Sequence, residues 1–179
     1  GVVNGRTSFF HNSISGYHAA KPNRMQVIYD FYLLKNNLRV LDMLNVKYII
    51  DLNESGNIEL KINEDVMGSA WFVDEVQKVT DSNQELLGLS SLDYKKTCLS
   101  TNLNNKTYPD SSENYIEIVD KRANQITYKA FSNDTGFIEF SEAFYKNGWM
   151  AKINGEITDH HKVNYLLRGL EVERGEHEI

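Results

Sequence analysis

Three groups of residues in this chain have the types and spacing to do chemistry. His11, Tyr17, His18 and Arg24 crowd into a short N-terminal stretch. An arginine offers a bidentate fork to a phosphate or sugar hydroxyl, and a tyrosine offers a stacking face. The same residues can instead pin an irregular loop to a core, and with no catalytic motif nearby that role is preferred. Asp159-His160-His161 has the composition of a metal site. On a strand, however, neighbouring side chains point to opposite faces, so only Asp159 and His161 can share an ion, and two ligands do not make a site. No metal is expected. Tyr145, Trp149 and Tyr165 can form a flat aromatic platform for a sugar ring, yet Trp149 alternates in step with Ala151 and Ile153, as a core tryptophan does. Packing is therefore favoured over a platform.

Nucleophilic catalysis finds no support. There is no G-x-S-x-G, no glycine-rich phosphate loop before a helix, and the single Cys98 has no neighbouring histidine in sequence. Cys98 reads as a small buried side chain, and one cysteine excludes an internal disulfide. The acidic pairs Glu64-Asp65 and Glu171 with Glu173 sit in ordinary loop or strand-edge contexts. Whether any carboxylates form a glycosidase pair depends on their separation in space. No cofactor is expected.

A formal net charge of -6 argues against nucleic acid or an anionic membrane surface as the main partner. Hydrophobic residues make up 41% of the 179, enough for one domain with a real core or two small ones. No window approaches the ~20 apolar residues of a membrane span. Sequons at Asn53, Asn105 and Asn133 matter only where secreted proteins are glycosylated.

The elements that must position these groups follow from periodicity. Met25, Ile28, Tyr29 and Tyr32 mark an amphipathic helix entered at Pro22 and ending near Leu34. Val40, Leu41 and Leu44 mark a second helix, which hands over to a strand at Lys47 to Ile50. Ile58, Leu60 and Ile62 alternate as a strand, and another is expected from Ala70 through Val76 to Val79. Ser82 and Glu85 have the spacing of a capping box, with Leu86, Leu87, Leu89 and Leu92 supplying the buried side of a short helix. Thr101 to Asn114 is rich in Asn and Ser and marks a long loop or boundary.

Beyond that loop about six antiparallel strands are expected, in a sandwich. Asn154-Gly155 supplies a tight hairpin turn. Val163, Tyr165 and Leu167 alternate as one strand, and Arg174-Gly175 makes a second turn that places Val172 opposite His177 and Leu170 opposite Ile179. The chain then stops in mid-strand, as a piece of a longer polypeptide does. The expected fold is α+β, with short N-terminal helices packed on an antiparallel β-sandwich or jelly-roll-like domain. Its parts are a mixed segment 1–100, a polar boundary 101–114 and a sandwich portion 115–179, with the strands before residue 101 completing or covering that sandwich.

Four stretches in order, SISGYHAAKPNRMQ, VLDMLNVKYIID, GSAWFVDEV with a following NQELLGL, and FYKNGWMAKINGEI with NYLLRGLEVERGEHEI, resemble the extracytoplasmic C-terminal region of the bacterial YfhO family. These are multi-spanning membrane proteins similar to glycosyltransferases that use polyprenyl-linked sugars. Tyr145, Gly148 and Trp149 match the family's hairpin, with Asn147 where a proline is usual. Asn164, Arg168, Gly175 and His177 also fall on family-like positions. The resemblance implies a non-catalytic domain outside the membrane, lying against the helices of its own full-length chain and receiving or orienting a glycan, lipid-linked sugar or envelope polymer. Tyr17, His18, Arg24, Tyr145, Trp149 and Arg168 are the candidate ligand-binding residues. A structural or protein-interaction module and a carbohydrate-active hydrolase are the alternatives.

Overall fold

The computed structural model describes residues 13–14, 22–35, 37–53, 55–109 and 112–179. The chain divides into two compact units, Gly1–Met67 and Gly68–Ile179. The architecture is α+β, mostly antiparallel sheet with a few short helices.

In the first unit, helix α1 (Asn23–Phe31) begins directly after Pro22, whose φ of -56° suits helix entry. Ile28 and Tyr32 are buried, and Met25 and Tyr29 are half-buried on the same stripe. A 3-10 turn, Leu33–Lys35, follows. The Asn37 side chain accepts a hydrogen bond from the Val40 amide at 3.2 Å and so opens α2 (Leu38–Met43), which buries Val40, Leu41 and Met43. Strands β1 (Tyr48–Leu52) and β2 (Ile58–Ile62) then form an antiparallel hairpin in which Tyr48 faces Ile62, Ile50 faces Leu60, and Leu52 faces Ile58. Asn63 donates to Asp42 at 2.7 Å and to the Val46 carbonyl at 3.1 Å, fastening the base of the hairpin to α2.

The second unit contains β3 (Ala70–Val73), β4 (Glu75–Lys78), α3 (Ser82–Gly88), β5 (Thr97–Ser100), β6 (Lys106–Thr107), β7 (Tyr115–Arg122), β8 (Gln125–Ser132), β9 (Gly136–Ala143), β10 (Ala151–Ile153), β11 (Glu156–Thr158), β12 (His161–Val163), β13 (Leu167–Val172) and β14 (Gly175–Glu178). A four-stranded sheet, β12-β13-β9-β3, lies in the middle. Alternation along β9 sends Ile138 and Phe140 to one face and Phe137 and Glu139 to the other. The first face joins Phe72, Leu170 and Val172 in packing on Tyr128 and Ala130 of the β14-β8-β7 sheet. The Tyr128 and Phe140 rings meet edge to face at 5.2 Å. That is the expected sandwich core.

The second face is covered by the β5-β4-β6 sheet and α3. The Trp71 indole N–H donates to the Tyr94 carbonyl at 2.9 Å, and the Phe137 ring lies 5.9 Å from that of Tyr108. Gly169 is required here, since a Cβ on it would come within 2.5 Å of the Phe137 ring.

The structure corrects several local expectations. The strand through Ala70, Val76 and Val79 breaks at Asp74, so that β3 joins the middle sheet while β4 joins the outer one and pairs parallel with β5. Helix α3 is capped by Asp81, not Ser82: the Asp81 carboxylate accepts from the Asn83 and Gln84 amides at 2.8 and 2.9 Å. Glu85 turns away from the cap into the interior, and Leu87 lies in solvent. Val163 to Leu167 is not one strand, because Asn164 and Tyr165 adopt φ of 45° and 65° and reverse the chain between β12 and β13.

The hairpin predicted at Arg174-Gly175 does not form either. Strand β13 already has β9 and β12 as partners, so β14 crosses to the other sheet and pairs with β8, placing His177 opposite Ala130. The polar stretch 101–114 lies inside the second unit and contributes β6. The Asn154-Gly155 turn forms as the sequence indicates, with φ of 53° and 85° between β10 and β11.

Candidate functional site

The outer sheet and the middle sheet leave a groove of about 270 Å³ between them, lined by Val76, Leu103, Asn104, Asn105, Lys106, Tyr108, Phe137, His161 and Glu171. Its floor is apolar and its rim polar. The Phe137 and Tyr108 rings form the floor, because β9 presents Phe137 on the face opposite the sandwich core. The rim comes from the 101–107 segment, which is fixed to β4: the Lys78 amide donates to Asn105 at 2.6 Å, and the Lys78 ammonium donates to Asn104 at 3.0 Å. On the opposite side Glu171 projects from β13. It accepts from the Tyr108 hydroxyl at 2.9 Å and pairs with Lys106, whose ammonium also lies 5.1 Å from the Tyr108 ring centre. Burial, and then the hydrogen bond and charge of Glu171, push the Tyr108 hydroxyl far above the usual tyrosine range, so it stays a neutral donor. The groove thus combines an aromatic floor, two amides, one cation and one carboxylate.

The candidate residues named from the sequence are distributed differently. Tyr17, His18 and the neighbouring His11 lie outside the described residues. Arg24 sits half-exposed on α1 in the first unit. Tyr145, Trp149 and Arg168 belong to the second unit, where Trp149 and Arg168 meet. The Arg168 guanidinium lies 4.2 Å from the Trp149 ring centre and 4.8 Å from that of Phe140, and it donates to Glu142 at 3.0 Å. Glu142 also accepts from the Tyr128 hydroxyl at 3.1 Å.

Arg168 is only 6% exposed, so this assembly closes one end of the sandwich core. Trp149 is half-buried and precedes β10 instead of belonging to it. Tyr145 is 61% exposed and lies over Gly148, where a Cβ would come within 2.3 Å of its ring. Tyr165, at 8% exposed, is packed. The three aromatic residues do not assemble into one platform.

The two adjacent histidines part company. His161 reaches the groove, whereas His160 rests against Phe144 with ring centres 5.1 Å apart. Burial and the nearby Arg168 cation lower the His160 pKa, while a backbone hydrogen bond at Trp149 opposes them. Among the described residues no three His, Cys, Asp or Glu side chains gather as metal ligands.

A third assembly is wholly internal. Glu139 is fully buried and accepts from Asn164 at 2.6 Å through one carboxylate oxygen, while its other oxygen has no partner. Asn164 in turn accepts from the Leu99 amide at 2.8 Å, tying the β12–β13 turn to β5. Glu85, also fully buried, pairs with Lys162. Cys98 is buried beside them. Desolvation first, and then the charges of Glu139 and Glu85, push its thiol well above the ordinary range, so it is no thiolate nucleophile.

Sequence reasoning missed the groove because its parts are far apart in the chain. Lys106 and Tyr108 fall in the polar boundary stretch, Glu171 in an ordinary loop or strand-edge context, and His161 in a pair too small to hold a metal. The one usable signal was Tyr108, a lone aromatic residue amid a polar run.

The chain matches no family model, no curated protein and no solved structure. Among the described residues no helix is long and apolar enough to cross a membrane.

Proposed function

We propose that this chain is a non-catalytic domain that receives a glycan, carried on the extracytoplasmic side of a glycosyltransferase-like membrane protein of the YfhO type. The observation that carries the reading is the groove between the outer and middle sheets. Its amides, ammonium and carboxylate suit the hydroxyl groups of a sugar, and the buried rings of Phe137 and Tyr108 form a rigid apolar base beneath them. Its volume, about 270 Å³, falls just below the ~300–1,000 Å³ of typical ligand sites, which limits the ligand to one or two sugar units. Among the described residues of its lining Glu171 is the one carboxylate, whereas glycoside hydrolysis uses a pair. That favours binding over cleavage. The order of the four family-like stretches supports the membrane-protein setting, and the ligand would then be a lipid-linked sugar or envelope polymer presented by the rest of that protein.

A second reading, a structural module, is favoured by one observation: Arg168, Trp149 and Phe140 are stacked together at the end of the core. On this ground Trp149 and Arg168 are assigned to stability and the groove residues to recognition.

The test is a glycan-array screen of the chain followed by calorimetry on each hit. Tyr108→Phe removes the hydroxyl that orients Glu171 and keeps the ring; Glu171→Gln removes the charge and keeps the shape. Each is expected to weaken binding by tenfold or more, in line with the ~1.4 kcal/mol per decade of one lost polar contact, with an unchanged circular dichroism spectrum. Failure of the unaltered chain to bind any glycan at millimolar concentration, or equal binding by both variants, overturns the proposal.

A further inference from the structure

The β1–β2 hairpin of the first unit exposes an unusual surface. Tyr48, Ile50, Leu52, Ile58, Leu60 and Ile62 are 57%, 62%, 64%, 78%, 58% and 60% exposed. Because Tyr48 pairs with Ile62, Ile50 with Leu60, and Leu52 with Ile58, all six side chains point to one face. The opposite face carries Ile49, Asp51, Glu59 and Lys61, with Lys61 bridging Asp51 at 3.5 Å and Glu59 at 3.7 Å. One side is thus an uninterrupted apolar sheet and the other an ion-paired one. A two-stranded hairpin is marginally stable in water unless a hydrophobic face is covered.

We infer that this face is a self-association surface, on which two copies of the chain pack hairpin against hairpin about a two-fold axis lying between the sheets. Three observations favour a second copy over other occupants. At ~1.45 Å² per dalton of unfolded chain, the exposed fractions of the six residues amount to roughly 650 Å². A face-to-face pair then buries about 1,300 Å², inside the range of ~1,200–2,000 Å² for specific interfaces and beyond most isolated surface patches.

The six side chains carry no charge, and the exposed Lys47 ammonium, 5.8 Å from the Tyr48 ring centre, stands only at the Tyr48 end of the face, so copying the face onto itself leaves its middle free of buried ions. A bilayer fits less well. The segment joining the strands reads Asn-Glu-Ser-Gly-Asn, and Asp51, Glu59, Glu64 and Asp65 outnumber Lys47 and Lys61 along and beside the hairpin. Interfacial membrane segments carry the opposite bias.

Sedimentation equilibrium of the chain from about 1 to 300 µM decides the matter, since a standard-size interface without strong hot spots falls in that range. A concentration-dependent rise to twice the 20.6 kDa chain mass is expected. Ile50→Lys and Leu60→Lys, at exposed positions where folding is least at risk, are expected to hold the chain at monomer mass with an unchanged circular dichroism spectrum. A chain that stays monomeric throughout, or variants that dimerise as well as the parent, overturns the inference. So does a monomer whose Lys variants lose stability, because the face is then covered within one chain. Flotation with phosphatidylcholine vesicles, abolished by the same variants in a monomeric chain, assigns the face to lipid instead.

Discussion

Glu139 gives the sharpest quantitative expectation. Its carboxyl group lies in the interior between the middle and outer sheets, fully buried, and takes a hydrogen bond from Asn164 at 2.6 Å. Desolvation raises its pKa well above the ordinary carboxylate value, and the Asn164 hydrogen bond offsets this only in part. The folded state therefore holds a proton that the unfolded chain releases near pH 4.5. Between the unfolded and folded pKa values the native state carries one more proton, so stability falls as pH rises, by about 1.4 kcal/mol per pH unit. The contribution is fully present below the unfolded pKa and is lost as pH climbs through the folded one.

Glu139→Gln copies the protonated side chain. It keeps an oxygen for the Asn164 amide and places its NH2 where the partnerless carboxyl oxygen sits. Any fixed cost of that swap shifts the whole curve without changing its slope. Urea denaturation followed by tryptophan fluorescence is the assay. Trp71 and Trp149, the only two tryptophans, both lie in the second unit and report on its unfolding. Measured from pH 4 to 7.5, the parent minus variant difference is expected to fall with a slope near -1.4 kcal/mol per unit above pH 4.5, flattening at the folded pKa. Parallel curves for the two proteins across that range would refute the reasoning.

Two further outcomes test neighbouring features. Lys162→Met leaves the fully buried Glu85 carboxylate without its ammonium partner and is expected to cost about 3–5 kcal/mol in urea denaturation, most of which Lys162→Met with Glu85→Leu restores. Asp81→Ala removes the acceptor for two amides of α3 and is expected to lower stability by ~0.5–2 kcal/mol in urea denaturation.

Much of the fold was legible because burial imposes period on sequence. Ile126, Tyr128 and Ala130 alternate because β8 is covered on one side, and the 3.6 period of Ile28 and Tyr32 survives because α1 buries one stripe. The errors fall where several local solutions satisfy the same pattern. Val163 to Leu167 alternates well enough for a strand, yet Asn164 tolerates the left-handed region and carries Tyr165 with it, because the turn lets the Asn164 side chain reach both Glu139 and the Leu99 amide.

Asp81 and Ser82 are both competent caps. The choice between them rests on Lys162, 77 residues beyond Glu85, which draws Glu85 inward and away from the capping position. Arg174-Gly175 looks like a hairpin turn, and only the prior occupation of both edges of β13 forbids it. No local pattern records any of these long-range facts.

On the proposed reading, the layering also separates stability from recognition. Each face of the middle sheet carries one polar assembly. On the sandwich side Arg168 is held between two rings and a carboxylate, and on the outer side Glu139, Asn164, Glu85 and Lys162 are sealed between β5, α3 and β12. A ligand that needed either assembly would have to open the core. The groove differs because β6 is only two residues long, Lys106 and Thr107, so that its polar rim opens to solvent above the buried rings of Phe137 and Tyr108. A short edge strand followed by Tyr108 creates a concave aromatic floor without breaking the sheet beneath it. Substitutions in the groove can therefore alter recognition at little cost in stability, whereas Trp149 and Arg168 variants lose stability first, and the two behaviours distinguish a recognition surface from a structural one.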